Sequence, residues 1–240
     1  MICMENMGVI KRIKTGIAGL DQLISGGVPV GSQVLIMGSP GAGKTLMSIE
    51  MLYHNAKLEV PSTFITTEEM KESIISNVEN AFYAFEEFED ILEKNTIQLI
   101  HKPIIDDFKS RENFEKFIAE IVEAMNANKS RILVFDSLSS LRTVMPDDRT
   151  FTRSAAYMTE VFREASLTTF ITMEADPKQD IIRSGIYGTS MFDGLIKLYI
   201  NKAVGTSQYM IEIPKLRNSA HKLSDVPFQI TSKGFDVLAD

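Results

Sequence analysis

Gly38-Ser39-Pro40-Gly41-Ala42-Gly43-Lys44-Thr45 decides how this chain is read, because it fills every fixed position of the pattern G-x-x-x-x-G-K-[ST]. A short apolar run, Val34-Leu35-Ile36-Met37, stands before it, and residues 44–57 after it have apolar positions at helical spacing. Strand, glycine-rich turn and helix are the context in which this pattern holds phosphate. Glycines let the backbone curl until successive N–H groups point at phosphate oxygens, and the helix N-terminus adds positive potential. Ser39, Pro40, Gly41, Ala42 and Gly43 are therefore the expected cradle. Lys44 is the charge that reaches the β- and γ-phosphates, and Thr45 supplies a hydroxyl that can ligate Mg2+. A chance glycine turn before a helix is the competing reading, and the flanking strand and helix argue against it.

A site of this type needs a second strand ending in a carboxylate for the metal. Arg131-Ile132-Leu133-Val134-Phe135-Asp136 supplies one, and ligands of open α/β sheets bind outside the C-terminal ends of the strands. Asp136 and the loop are thus expected to converge. Taken alone, an Asp before Ser137 could equally cap a helix. Another apolar run, Thr63-Phe64-Ile65-Thr66, leads into Thr67-Glu68-Glu69. Two adjacent carboxylates at the mouth of a parallel sheet could provide a general base for water. They could also belong to a helix start, with Thr66 or Thr67 at the cap and a Glu favoured by the helix dipole. The residues alone leave these two readings level.

Further runs at Ile97-Gln98-Leu99-Ile100 and Thr169-Phe170-Ile171-Thr172 have strand length and composition. Between the runs lie stretches of helical period. In 111–126 Phe114, Phe117, Ile118, Ile121, Val122 and Met125 form one apolar stripe, and 152–165 shows the same pattern with lower contrast. Strands alternating with helices predict a mainly parallel sheet covered on both faces. After about residue 193, closely spaced runs at 195–200, 209–213 and 227–230 predict antiparallel strands at the end of the chain. The cluster Phe82, Tyr83, Phe85 and Phe88 could stack on bases, but aromatics at this density more often cover a sheet from one or two helices.

Composition narrows the class. The chain has 240 residues, 44% hydrophobic and 24% charged, and one cysteine, Cys3, so no internal disulfide and no cysteine zinc site can form. No Pro/Ser-rich linker interrupts it, and residues 1–240 are read as a single α/β domain. Residues 1–16 lack the apolar core of a signal peptide, and no window approaches the ~18 apolar residues of a membrane span, so a cytoplasmic protein with no membrane insertion is expected. Net charge −7 argues mildly against a dedicated nucleic-acid binder, although a local basic stripe can sit on an acidic protein.

Over nearly its whole length the chain resembles the KaiC-like branch of the RecA-type P-loop ATPases. The opening segment Thr15-Gly16-Ile17-x-Gly19-Leu20-Asp21-x-Leu23-x-x-Gly26-Gly27-Val28-Pro29-x-Gly31, the Glu68-Glu69 pair and Asp136-Ser137-Leu138-Ser139 resemble the family's motifs. So do Asp193-Gly194 and Lys215-Leu216-Arg217 with His221, where Asn218 replaces the usual glycine and can still adopt positive φ. The resemblance implies a RecA-like fold, ATP with Mg2+, and a hexameric ring with ATP at the subunit interfaces. It implies catalytic Glu68 and Glu69, Lys215 and Arg217 acting on a neighbouring subunit's nucleotide, and His221 among the nucleotide-binding residues. A phosphorylated Ser-Thr pair in the tandem-domain clock member lies at an offset like that of Thr189-Ser190, which makes autophosphorylation an expectation to test. A single-domain chain does not inherit a clock role, and the partner protein is not legible. Two alternatives stand beside a regulatory ring ATPase: a recombination-mediator paralogue that binds single-stranded DNA, and a non-hydrolysing scaffold of an archaeal surface-filament motor. Residues 176–190 read as a surface loop near the nucleotide, with bends at Gly185 and Gly188.

Overall fold

The computed structural model describes residues 10–81, 85, 87–104, 108, 110–175, 189–203 and 206–239. Phe82, Tyr83, Gly185, Gly188 and most of the loop read at 176–190 lie outside the described residues. The apolar runs become strands β3 (Gln33–Gly38), β4 (Ser62–Thr66), β5 (Ile97–His101), β6 (Ile132–Asp136) and β7 (Thr168–Glu174). Before them stand two short pieces, β1 (Arg12–Ile13) and β2 (Val28–Pro29), which pair with each other and enclose helix α1 (Leu20–Leu23). The chain closes with β8 (Gly194–Ala203), β9 (Thr206–Leu216), β10 (Val226–Thr231) and β11 (Gly234–Val237).

The 9-stranded sheet has the order β11-β10-β9-β8-β3-β7-β6-β4-β5. From β8 to β5 every pairing is parallel, and β9, β10 and β11 are antiparallel to their neighbours. The mainly parallel α/β sheet with an antiparallel end is the predicted architecture. β3 lies between β7 and β8, so the loop that follows it emerges near the middle of the sheet.

Alternation along each strand sends neighbours to opposite faces, and both faces are covered. Val34, Ile36, Phe64, Val134 and Phe170 pack under α2 (Lys44–Ala56), α3 (Lys71–Ala81) and α4 (Phe88–Glu93). Leu35, Met37, Ile65, Leu133, Phe135 and Ile171 pack under α5 (Arg111–Ala127), α6 (Leu138–Val144) and α7 (Asp148–Glu164). The stripe read in 111–126 is the buried side of α5, whose first turn is capped by Ser110 accepting from Asn113 N–H at 3.2 Å. Phe85 stacks on Tyr53 of α2 with ring centroids 4.1 Å apart, and Phe88 is buried beside it, so the described part of the aromatic cluster is core. Among the described residues no helix is long and apolar enough to cross a membrane.

The opening segment is tied by one carboxylate. Asp21 accepts from the N–H and hydroxyl of Thr15, both at 2.8 Å, and from Gly16 N–H at 3.2 Å. That knot accounts physically for the Thr-Gly…Asp spacing quoted above.

Candidate nucleotide site

Gly41 and Gly43 have φ of 73° and 89°, the left-handed conformations that the curl of the loop requires. Gly43 also has no room for a side chain, since a Cβ there would lie 2.8 Å from the Phe235 ring of β11. Lys44 Nζ donates to the carbonyls of Gly38 at 3.0 Å and Ser39 at 3.1 Å, which folds the ammonium back over the loop. Burial holds the Lys44 ammonium below the ordinary lysine value, while the charges of Glu174, Asp136 and Glu68 pull it the other way.

Asp136 comes to the loop as its place at the end of β6 predicts. Thr45 Oγ1 donates to Asp136 Oδ2 at 3.0 Å, and the Thr172 hydroxyl of β7 donates to Oδ1. The carboxylate is 8% exposed. Burial pushes its pKa above the ordinary aspartate value. The hydrogen bonds from Thr172 and Thr45 oppose that shift, and the charges of Glu68 and Glu69 add to it. Ser137, not Asp136, caps α6, accepting from Ser139 N–H at 3.2 Å, so the carboxylate has no helix to cap.

The Glu68-Glu69 segment is shaped by its threonines. Thr66 Oγ1 accepts from Glu69 N–H at 3.0 Å, yet α3 begins only at Lys71, so Thr66 closes a turn rather than a helix start. Thr67 N–H donates to Asp136 O at 2.7 Å and Ser137 N–H donates to Thr67 Oγ1 at 2.9 Å, which joins the ends of β4 and β6. Ser137 Oγ then donates to Glu68 Oε1 at 2.6 Å. Glu68 is exposed and Glu69 half-buried, with Glu69 Oε2 accepting from Asn77 Nδ2 at 3.1 Å.

Beside the loop lies a cleft of about 580 Å3. Leu46, Ile49, Ile74, Tyr209 and Ile230 form apolar walls, and Asn77 and Asn80 provide amides. An apolar slot with a few polar groups, opening from a phosphate cradle, suits a nucleoside.

Lys215, Arg217 and His221 are elsewhere. Register places Lys215 opposite Leu195, and Leu195 beside Leu35; Gly194 pairs with both Val34 and Leu216. Arg217 therefore stands level with the start of β3, about 17 Å along the strand from Gly38 at ~3.3 Å per residue. Its Nη1 pairs with Asp193 Oδ1 at 3.2 Å, and its Nη2 donates to Ser190 O at 3.2 Å. Lys215 Nζ donates to Phe192 O at 2.7 Å, and burial, then Arg217, holds its ammonium below the ordinary value against the pull of Asp193. β10 pairs with β9 only at Tyr209–Ile211, so Lys215 is paired on the β8 side alone and Arg217 lies just past the strand. Ser190 is at this far end too, in a short 3-10 turn, Thr189–Met191. Asn218 has φ of 56°, the left-handed turn a glycine would favour, and the Arg12 guanidinium donates to its carbonyl at 3.0 Å. His221 Nε2 is buried without a hydrogen-bond partner.

Sequence reading missed Thr172, Ser137, Asn77, Asn80 and Tyr209. Only the alternation of polar and apolar residues along β7 hinted at Thr172, and the rest depend on which elements become neighbours.

Three comparisons bear on identity. Residues 13–240 match the family described as "ATPase: KaiC". A UPF0273 protein of Thermotoga maritima is 25% identical over 238 residues, covering 94% of this chain and 95% of that protein. The circadian clock oscillator protein KaiC of Rippkaea orientalis is 26% identical over 231 residues, 95% of this chain but only 44% of the clock protein. The crystal structure of a KaiC-like protein from Pyrococcus horikoshii superposes with a TM-score of 0.82 at 27% identity, over 95% of this chain and 99% of that one. With nearly its whole length inside that match, the chain belongs to the KaiC family of P-loop ATPases.

Proposed function

We propose that the chain, as one domain over 1–240, is a cytoplasmic, ring-forming ATPase with regulatory or signalling output. Each ATP is held at a subunit interface, in a homo-oligomer read as a hexamer. The observation that carries this reading is the split of the motifs between the two ends of the sheet. The loop, Thr45, Asp136 and Glu68 meet at one end, while Lys215, Arg217 and His221 stand at the other.

Gly38–Thr45 would hold the phosphates through backbone N–H groups and Lys44, and the neighbouring cleft would take the nucleoside. Thr45 Oγ1 and Asp136 Oδ2, two hard oxygen donors 3.0 Å apart, fit Mg2+, which nucleotide sites bind through one or two protein oxygens plus phosphate. A Mg2+ held there by Thr45 and Asp136 would supply positive charge against the phosphate oxygens. A buried Asp136 whose charged form is disfavoured gains from a cation beside it, as a buried Lys44 gains from phosphate. Glu68, held by Ser137, is the group that orients or deprotonates the attacking water, with Glu69 supporting it. Arg217 and Lys215 of the adjacent subunit would stabilise charge on the γ-phosphoryl oxygens, and the unpartnered His221 nitrogen is a third polar group for that interface. Ser190, adjoining Arg217, would face a neighbour's phosphate rather than its own. Intact-mass analysis after incubation with ATP tests autophosphorylation, and no added phosphate ends that idea.

Calorimetry tests the core of the proposal. Lys44→Ala removes a charge-assisted phosphate contact of about 2–4 kcal/mol, so ATP affinity with Mg2+ should fall at least about thirtyfold. Unchanged affinity rejects the site.

A second reading, ATP-dependent binding of single-stranded DNA, gains one observation. Lys11, Arg12, Lys14, Lys129 and Arg131 line a cleft of about 1010 Å3 at the starts of β4, β6 and β7, with no carboxylate among its described lining residues. The same lining holds no aromatic ring, so bases would have nothing to stack on. ATP turnover measured with and without single-stranded DNA, in wild type and in Lys129→Glu/Arg131→Glu, decides it. Stimulation lost in the variant favours DNA, and turnover indifferent to DNA removes this reading. ATP binding without turnover would instead support a non-hydrolysing scaffold, against which both glutamates count.

A further inference from the structure

Asp193 stands at the start of β8 and is fixed from several directions. Its N–H donates to Gln33 O at 2.7 Å, its Oδ2 accepts from Gln33 N–H at 3.0 Å, and its carbonyl accepts from Arg217 N–H at 2.8 Å. Its two carboxylate oxygens also face two guanidinium groups, Arg217 on Oδ1 and Arg163 of α7 on Oδ2, each at 3.2 Å. Arg163 is anchored in turn by Glu160 at 2.8 Å and Met191 O at 3.1 Å. The carboxylate is 17% exposed and Arg217 is 49% exposed.

We propose that Asp193 is a positioning residue that pre-organises the Arg217 guanidinium for the γ-phosphate of the neighbouring subunit. The inference rests on the shared-site reading above. Arginine carries five N–H donors in a planar fork, and the hydrogen bonds to Asp193 and Ser190 O use two of them. The guanidinium is therefore held while half of it stays open to an anion. A flexible arginine would have to lose its rotamer freedom at the moment of reaction, whereas one fixed beforehand does not. Arg163 leans on the other oxygen, so the carboxylate is not free to swing with Arg217. The same carboxylate also pins Gln33, at the opposite end of β3 from the phosphate loop. A subunit thus ties the arginine it lends, through Asp193, to the far end of the strand that leads into its own loop.

Asp193→Asn tests this in the full chain, because asparagine keeps an acceptor for Gln33 N–H and loses the charge that holds the guanidinium. ATP affinity should stay within about twofold, and turnover should fall between about tenfold and a hundredfold, as for a misplaced catalytic group. Adding the change to Arg217→Ala should lower turnover no further. Mixed with Lys44→Ala subunits, Asp193→Asn subunits should regain activity, because some interfaces then pair an intact loop with a well-held arginine. Wild-type or faster turnover in Asp193→Asn, alongside a clear loss in Arg217→Ala, overturns the proposal and leaves the shared site standing. Recovery in a Lys44→Ala/Arg217→Ala mixture but not in the Asp193→Asn mixture does the same. Arg217→Ala with wild-type turnover rejects the shared site itself, and Asp193 with it. If Asp193→Asn loses its fold by circular dichroism, Arg163→Gln loosens the same carboxylate from the α7 side and should lower turnover in the same direction. No decrease there rejects the proposal.

Discussion

Glu68 shows how little a residue-scale motif says until its partners are known. The adjacent Glu68 and Glu69 suited a base or a helix start equally well, and the structure gives them different surroundings. Glu69 leans on Asn77 of α3, whereas Glu68 accepts a 2.6 Å hydrogen bond from Ser137, the residue after Asp136. Only Glu68 is held on the strand end that carries Asp136, which is where a water beside the phosphate would have to be activated. General-base catalysis contributes roughly 10²–10⁴-fold. Glu68→Gln is therefore expected to bind ATP normally by calorimetry and to hydrolyse it at least about a hundredfold more slowly. Hydrolysis at the wild-type rate would return Glu68 to the role of a turn carboxylate. Gly38–Thr45 and Asp136 were legible in the sequence because each is local: a loop with fixed spacing, and a carboxylate ending an apolar run. Ser137 and Thr172 were not, because their roles arise from parallel pairing between β4, β6 and β7 across long stretches of chain.

At the scale of elements, periodicity did most of the work and brevity set its limit. α5 and α7 announce themselves by apolar stripes, and the central strands by unbroken apolar runs. β1, β2 and α1 are two to four residues long, too short for any period, and are held by Asp21 and by β1–β2 pairing. β11 was missed for the same reason, yet it docks on α2 through a buried acid. Glu50, 2% exposed, accepts from Phe235 N–H at 2.8 Å and lies 3.5 Å from His54 Nε2. Burial raises the Glu50 carboxyl above the ordinary glutamate value, against the pull of the hydrogen bond with His54 and that from Phe235. The fold thus favours the protonated form. Glu50's contribution to stability is complete below its unfolded-state value and is lost as pH rises through the folded one. Glu50→Gln keeps an oxygen for Phe235 and carries no charge to bury. Its melting temperature is expected to exceed that of wild type at pH 8, with a smaller difference at pH 4.5. A difference that is equal at both values, or larger in acid, would mean that Glu50 is buried as a well-compensated anion.

At the scale of the whole molecule, the decisive fact is that the length of β3 separates the phosphate loop from Arg217. The sequence showed Lys215 and Arg217 following an apolar run and nothing about which end of the sheet they reach. That required the order β9-β8-β3 and its register, set by long-range pairing. With Arg217 about 17 Å along β3 from the phosphate loop and tied to Asp193, it cannot reach its own nucleotide without unmaking the start of β8. On the shared-site proposal a second copy brings its own Arg217 to the loop, and arginines supplied in this way are worth ~10³–10⁵ in rate. The consequence is a concentration dependence that a site complete within one chain would not have. Turnover per subunit should climb as dilute protein assembles and then level off, and the midpoint should coincide with the assembly midpoint measured by sedimentation. Arg217→Ala should flatten the curve while leaving assembly in place, because stable protein interfaces in general bury far more than one half-exposed side chain. Constant turnover per subunit across the assembly transition would place the complete site within one chain and reject the shared arrangement.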